Sequence, residues 1–232
     1  MRKVAIVSGA SRGLGRTIAI RLAEAGYDLA IASRSIGALN ELKHTIEQKY
    51  SVKVLTEVVD FSDKKSIDNF TTVVNDNYPV VDIIVNNIGI YGGSTVSEMG
   101  DLQKMMNTNF YSAVSLTSAF LTAMQEAQHG HVFNICSIVN RHPRFMNAAY
   151  TISKDALFSY SKVLREEMRD YGVKVSAILP GAINTSSWDG IEAPRDEMVQ
   201  PEDVANAIMY ALSLSKHAYM EEIVIRQMRK DL

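Results

Sequence analysis

Short runs of β-branched and aliphatic residues alternate along the chain with stretches whose apolar positions recur at helical spacing. The runs fall at residues 4–7, 29–32, 52–58, 81–85, 131–135, 173–179 and 222–225. Their near-continuous apolar character predicts strands covered on both faces. Between them Leu39, Leu42 and Ile46 fall at i, i+3 and i+7, as do Ile67, Phe70 and Val74, each the buried stripe of a helix. Gly26 stands where a helix over 16–25 needs its C-cap, and Ser62 precedes Asp63 where an N-cap is expected. Pro201-Glu202-Asp203 places proline and acids in a first helical turn. This alternation predicts an α/β fold: a doubly wound, mostly parallel sheet of seven strands flanked by helices. No repeat, low-complexity tract or linker interrupts it, so residues 1–232 are expected to form a single domain.

Composition narrows the class. A chain of 232 residues with 47% apolar and 22% charged positions buries a core without staples and is not of disordered type. With 24 basic against 26 acidic residues the net charge is −2, a field that draws in neither nucleic acid nor an anionic membrane. The longest apolar runs, such as 80–85, fall far short of a membrane span. Met1-Arg2-Lys3 leads into a strand too early for a secretory signal. The single cysteine, Cys136, permits no internal disulfide, which suggests a reducing cytoplasm. Of the five histidines only His129-Gly-His131 are closely spaced. Two ligands do not close a site, and no metal is expected.

Ser8-Gly9-Ala10-Ser11-Arg12-Gly13-Leu14-Gly15 follows the first predicted strand and opens the first helix. Glycines there let the chain turn tightly and let backbone approach a pyrophosphate, while the helix start offers free N–H groups. A loop can hold glycines for turn geometry alone, but the strand before and the helix after favour a dinucleotide. A carboxylate about 20 positions on normally accepts from the ribose 2′-hydroxyl. Here Ser33-Arg34 takes that place. Arg34 and Arg12 can pair with a 2′-phosphate through charge-assisted bonds, so the expected cofactor is NADP(H) rather than NAD(H). Solvated surface arginines are the plainer alternative.

Tyr150 and Lys154 stand at i and i+4, on one helix face. A nearby ammonium favours a phenolate and lowers the phenol's pKa from about 10 toward the range useful for acid–base work. Ser137 ends the predicted strand 131–135, on the edge where open α/β sheets bind ligands, and its hydroxyl can bond a substrate oxygen there. A hydrolase nucleophile is the other reading of Ser137, but no G-x-S-x-G elbow surrounds it. Cys136 reads as a small buried strand residue.

With these motifs in order, the chain resembles the classical short-chain dehydrogenase/reductase family, from Lys3 to about Arg226. Ser8 to Gly15 resembles the family's T-G-x-x-x-G-x-G, with serine for threonine. Asp60, followed by Phe61, sits where the family sets an aspartate against adenine. Asn86-Asn87-Ile88-Gly89 resembles N-N-A-G, with isoleucine for alanine. Asn109, Ser137, Tyr150 and Lys154 match the family's catalytic positions. Pro180-Gly181-Ala182-Ile183-Asn184-Thr185 resembles P-G-x-x-x-T, whose Ile183 backbone and Thr185 side chain would meet the nicotinamide carboxamide. The resemblance implies a Rossmann fold. Its cofactor contacts would come from Gly9, Ser11, Arg12, Gly13, Leu14, Gly15, Arg34, Asp60, Phe61, Asn87, Gly89, Tyr150, Lys154, Pro180, Gly181, Ile183 and Thr185. It implies hydride transfer between NADP(H) and a carbonyl or alcohol. Tyr150 would act as acid/base and Ser137 orient the oxygen. Lys154 would lower the tyrosine pKa and bond the ribose, and Asn109 would support a water relay.

The resemblance also places a substrate lid within residues 182–200, whose large apolar members are Trp188, Ile191 and Met198. Ile90, Tyr91, Val139, Phe145 and Met146 are further candidate walls, suited to an apolar ketone or aldehyde, or simply core. Arg141, His142 and Arg144 form a basic cluster that would receive an acidic group or lie solvated. Helices over 102–128 and 150–171 suit a homodimer or homotetramer, and the tail over 227–232, without the family's frequent glycine pair, counts against the tetramer. Two rival classes are a silent NADP(H)-binding regulator of the same fold and a methyltransferase. The intact Asn-Ser-Tyr-Lys set argues against the first, the missing acid at Ser33-Arg34 against the second.

Overall fold

In the computed structural model, which describes residues 2–228, the seven strands are β1 (Val4–Ser8), β2 (Asp28–Ser33), β3 (Val54–Val58), β4 (Ile83–Asn86), β5 (Gly130–Ile135), β6 (Val173–Pro180) and β7 (Glu222–Ile225). They form one sheet in the order β3-β2-β1-β4-β5-β6-β7. Every pairing is parallel, so the expected mostly parallel sheet is wholly so. Met1 and the end of the tail expected over 227–232 lie outside the described residues. The order reverses between β1 and β4, and at such a switch point the crevice beyond the strand ends takes ligands.

The helices are α1 (Gly13–Glu24), α2 (Ile36–Lys49), α3 (Lys64–Asn77), α4 (Leu102–Met106), α5 (Ser112–Ala127), α6 (Ala148–Met168) and α7 (Pro201–Ser213). Strand side chains alternate between faces even where the run is all apolar. Ala5 and Val7 therefore share one buried layer with Leu14, Ile18 and Leu22 of α1, Leu39, Leu42 and Ile46 of α2, and Val204 and Ile208 of α7. Val4 and Ile6 join the opposite layer, with Phe70 and Val74 of α3, Leu116 and Phe120 of α5, and Leu164 and Met168 of α6. Fully burying each such side chain contributes about 1.5–3 kcal/mol. The sheet is thus clamped on both faces, and its strand ends are fixed relative to one another.

Two local expectations change. Asp63, not Ser62, caps α3, its carboxylate accepting from the Lys65 N–H, while Ser62 Oγ donates to Asp60. A carboxylate is the stronger acceptor at a helix start. The helix expected over 102–128 is broken by a π-helical segment, Asn107–Tyr111, between α4 and α5. It ends at Ala127, with Gln128 left-handed at φ 54°.

Candidate active site

The glycine loop is laced to the end of β4 by one hydroxyl. Ser8 Oγ donates to the Val85 carbonyl (3.2 Å) and accepts from the N–H groups of Asn87 (2.9 Å) and Ile88 (3.2 Å). Asn87 Nδ2 donates back to the Ser8 carbonyl (3.0 Å). Serine in place of the family's threonine keeps this chemistry. Gly15 packs so tightly that a Cβ there would lie 2.4 Å from the Gly9 carbonyl oxygen. Gly13, at φ 54°, lies against Thr185, which brings the start of α1 beside the segment after β6. Arg12, at the N-cap position of α1, makes no side-chain cap, and the first turn holds no acid. Its leading N–H groups are therefore left for an external anion.

Arg12 and Arg34 are exposed at this end of the crevice, Ser11 is half-buried, and Leu14 belongs to the core. Asp60 is held below the usual carboxylate range, chiefly by hydrogen bonds from Ser62, with Arg34 contributing. Phe61 is 4% exposed and packs in the core with Phe70. A cofactor contact from Phe61 would therefore come through its backbone.

Gly89 is exposed between two candidate catalytic groups, its Cβ position 3.1 Å from Lys154 Nζ and 3.7 Å from Asn109 Oδ1. Asn109 lies in the π-helical segment, a distortion common at functional sites. Its Oδ1 accepts from the Ile90 N–H (2.7 Å), and its Nδ2 donates to the Ile90 carbonyl (3.0 Å) and Ser153 Oγ (2.9 Å). These bonds tie the loop carrying Ile90 and Tyr91 to the π-helical segment and use both Nδ2 protons and one of the two Oδ1 acceptor sites.

Ser137, Tyr150 and Lys154 converge at the carboxyl edge of β5. Ser137 Oγ accepts from the Val139 N–H (3.3 Å) and shares a hydrogen bond with the Tyr150 phenol. Lys154 is 3% exposed and donates from Nζ to the Ile135 carbonyl (2.8 Å), 6.0 Å from the Tyr150 ring centroid. Burial raises the phenol to about 12 against the lowering effect of Ser137, with Tyr91 raising it further. Burial lowers Lys154 to about 8. The expectation that Lys154 brings the tyrosine pKa down is not met in this structure. Desolvation dominates both groups, and the favourable contact to the phenol comes from Ser137.

Beyond β6, Gly181 N–H donates to the Ile225 carbonyl (2.8 Å), and Ile183 pairs with Val199. Thr185 caps a short turn, Ser186–Trp188, its hydroxyl accepting from the Ser187 N–H (3.4 Å). Within residues 182–200 Arg195 Nη2 donates to Asp189 (2.8 Å), Ile191 is exposed and Met198 is buried. Tyr91, Phe145 and Met146 are 67%, 78% and 56% exposed, whereas Val139 is buried. Ser94 straps their two loops together: its N–H donates to the Met146 carbonyl (2.9 Å), and its carbonyl accepts from Ala148 N–H (2.9 Å).

The basic cluster is engaged: Arg141 pairs with Glu222 of β7, and His142 lies 3.2 Å from Arg226. Cys136 is buried and its thiol is pushed up to about 12, chiefly by burial, so it is no nucleophile. His131 Nε2 meets Ser176 Oγ (2.7 Å), and burial lowers the ring to about 3. Among the described residues no group of three or more metal-ligating side chains occurs, and no helix is long and apolar enough to cross a membrane. Sequence reasoning passed over Asn140, Asp155 and Ser153. Asn140 carried a signal, since Ser137-x-x-Asn140 is close to a capping-box spacing.

The chain matches the short chain dehydrogenase family over residues 3–196. An uncharacterized oxidoreductase of Staphylococcus saprophyticus is 30% identical over 227 residues, covering 97% of each chain. One from Staphylococcus epidermidis is 29% identical over 226 residues, covering 97% of this chain and 96% of its own. The alcohol dehydrogenase from the archaeon Thermococcus sibiricus complexed with 5-hydroxy-NADP superposes at TM-score 0.92 and 27% identity, with 100% of both chains covered. The L-sorbose reductase of Gluconobacter frateurii complexed with NADPH and L-sorbose superposes at TM-score 0.88 and 25% identity, over 97% of this chain and 94% of its own.

Proposed function

This chain belongs to the short-chain dehydrogenase family, and from that premise we propose that it is an NADP(H)-dependent oxidoreductase interconverting a carbonyl and an alcohol. The observation that carries the reading is the meeting of the Ser137 hydroxyl and the Tyr150 phenol beside buried Lys154, at the strand edge the glycine loop shares. The NADP-bound and NADPH-bound solved structures support the cofactor. The uncapped start of α1 and the glycine contacts fit a pyrophosphate. Arg12 and Arg34 would meet a 2′-phosphate. Gly9, Ser11, Gly13, Leu14 and Gly15 would line the phosphates, and Asp60 and the Phe61 backbone the adenine. Asn87 and Gly89 would line the ribose, and Pro180, Gly181, Ile183 and Thr185 the nicotinamide.

When bound, the cofactor supplies the hydride chemistry. In the reductive direction Tyr150, protonated in this fold, donates its proton to the carbonyl oxygen. Ser137 donates a hydrogen bond to the same oxygen as negative charge develops there. Lys154, its ammonium 6.0 Å from the Tyr150 ring centroid, would bond the nicotinamide ribose. Asn109 keeps the Ile90 and Tyr91 loop in place. Residues 182–200 close the site, within one domain, and Tyr91, Phe145 and Met146 favour an apolar ketone or aldehyde. This reading adopts a cytoplasmic homodimer or homotetramer, whose mass small-angle scattering determines. NADPH oxidation against a panel of ketones, aldehydes, quinones and 3-oxoacyl thioesters tests the activity. Turnover of one class is expected, and tight NADPH binding with no turnover across the panel would replace the enzyme with a regulator.

A further inference from the structure

Ser137 leaves the sheet at a point where its own backbone N–H has lost the ladder. Cys136 N–H still donates to the Ile178 carbonyl (2.8 Å). One residue on, the donor turns away into a short 3₁₀ turn, Ile138–Asn140. Asn140 Oδ1 accepts that N–H at 2.9 Å, while Ser137 Oγ accepts from Val139 N–H. The other end of the amide is also spoken for: Asn140 Nδ2 donates to Asp155 Oδ1 at 2.8 Å. An amide presents an acceptor on one side and donors on the other. A carboxylate can be met only by the NH₂, so Asp155 dictates that the oxygen faces Ser137.

Asp155 follows Lys154 on α6, the helix that also carries Tyr150. We propose that Asn140 and Asp155 are positioning residues that register Ser137 on β5's end to the catalytic helix itself. The path runs from Asp155 to the Asn140 amide and the Ser137 N–H. The backbone held there aims Oγ, which has two acceptor sites and one proton. With Val139 N–H on one acceptor site, the hydroxyl proton points to the side of the phenol oxygen, where the substrate oxygen would also sit. Ser137 and Tyr150 come from different elements, yet their separation is set along one helix. The inference rests on the proposed reductase activity, because positioning has meaning only for a reaction.

The test uses the full chain with a carbonyl that the wild type reduces, and compares S137A, N140A, D155A, N140D and the swap N140D/D155N. Expected is a ~10- to 100-fold loss of kcat in N140A and D155A, with KM for NADPH unchanged. Loosening Ser137 removes the contact that lowers the tyrosine, so the pH limb assigned to Tyr150 moves upward in N140A. N140D alone sets two carboxylates face to face and loses activity. The swap restores an acceptor toward Ser137 and an amide toward that acceptor, and recovers kcat to within a few-fold. Hydrogen exchange at the Ser137 amide, read by NMR without cofactor, accelerates about tenfold or more in N140A and returns in the swap. Unchanged exchange, or wild-type kcat in N140A where S137A is inactive, overturns the inference and leaves the function standing. A wild type that reduces no carbonyl overturns the function, and the inference with it.

Discussion

The Tyr91 ring meets the Tyr150 ring edge-on, with centroids 5.0 Å apart and planes inclined at 71°. Tyr91 is mostly exposed and Tyr150 is half-buried beside it, so in the proposed reaction the outer ring would form a wall past which a carbonyl reaches the phenol. An aromatic pair of this geometry is worth about 0.5–1.5 kcal/mol beyond the area it buries. Replacing Tyr91 by Ala is expected to raise KM for an aryl ketone by ~10-fold, and Tyr91→Phe to leave it near wild type. Steady-state kinetics on aryl and short aliphatic ketones decide the matter. Equal KM values in wild type and Tyr91→Ala would remove Tyr91 from the substrate wall.

Tyr150→Phe keeps the ring and its edge contact and removes only the hydroxyl. Loss of a positioned proton donor costs typically about 10²- to 10⁴-fold, so kcat should fall by at least that much. NADPH binding, followed by nucleotide fluorescence, should stay within a few-fold. Retained turnover would hand the proton to another group.

Lys154 is charged at neutral pH yet buried, and its folded pKa of about 8 lies below the ordinary 10.5. Between those values the unfolded chain binds more protons, so stability rises with pH across that window and the cost is fully present below about 8. The penalty is about 3 kcal/mol, less the roughly 1–3 kcal/mol of leaving the Ile135 carbonyl unpaired. Lys154→Met should therefore be inactive and no less stable than wild type at pH 7, with any advantage vanishing toward pH 10.5. Urea melts at several pH values test it, and a mutant that loses stability equally at every pH would contradict the assignment.

Arg34 and Arg12 stand clear of any carboxylate ion pair among the described residues. A charge-assisted bond is worth about 1.5–3 kcal/mol, so Arg34→Asp should weaken NADPH by ~10- to 100-fold while NADH use holds or improves. Isothermal titration with both nucleotides separates the two effects. Parallel losses for NADPH and NADH would place Arg34 away from the 2′-phosphate.

Much of the fold was legible because buried parallel strands are written as unbroken apolar runs, and all seven appear where such runs occur. The runs over 52–58 and 81–85 start before their strands do, since Val52 and Val81 are buried without joining the ladder. Hydrophobicity reports burial, not hydrogen bonding. The convergence of Ser137, Tyr150 and Lys154 was legible from their place at one sheet edge. The protonation of Tyr150 was not, because it depends on how much water the folded site excludes. Nor was the Asn140–Asp155 contact, which joins two elements whose side-chain directions no local pattern encodes.

The π-helical stretch between α4 and α5 has a bearing on how this protein can change over generations. Each residue added to or taken from a helix swings the remainder of that helix by about 100°, and Asn109 holds Ile90 from within the wider winding of Asn107–Tyr111. Substitutions of matching size can accumulate around that stretch. A single codon lost there would tighten it into ordinary helix and turn the Asn109 amide away from its partner. Lineages descended from this chain should therefore conserve the spacing from Leu102 to Asn109 more strictly than the residues that fill it.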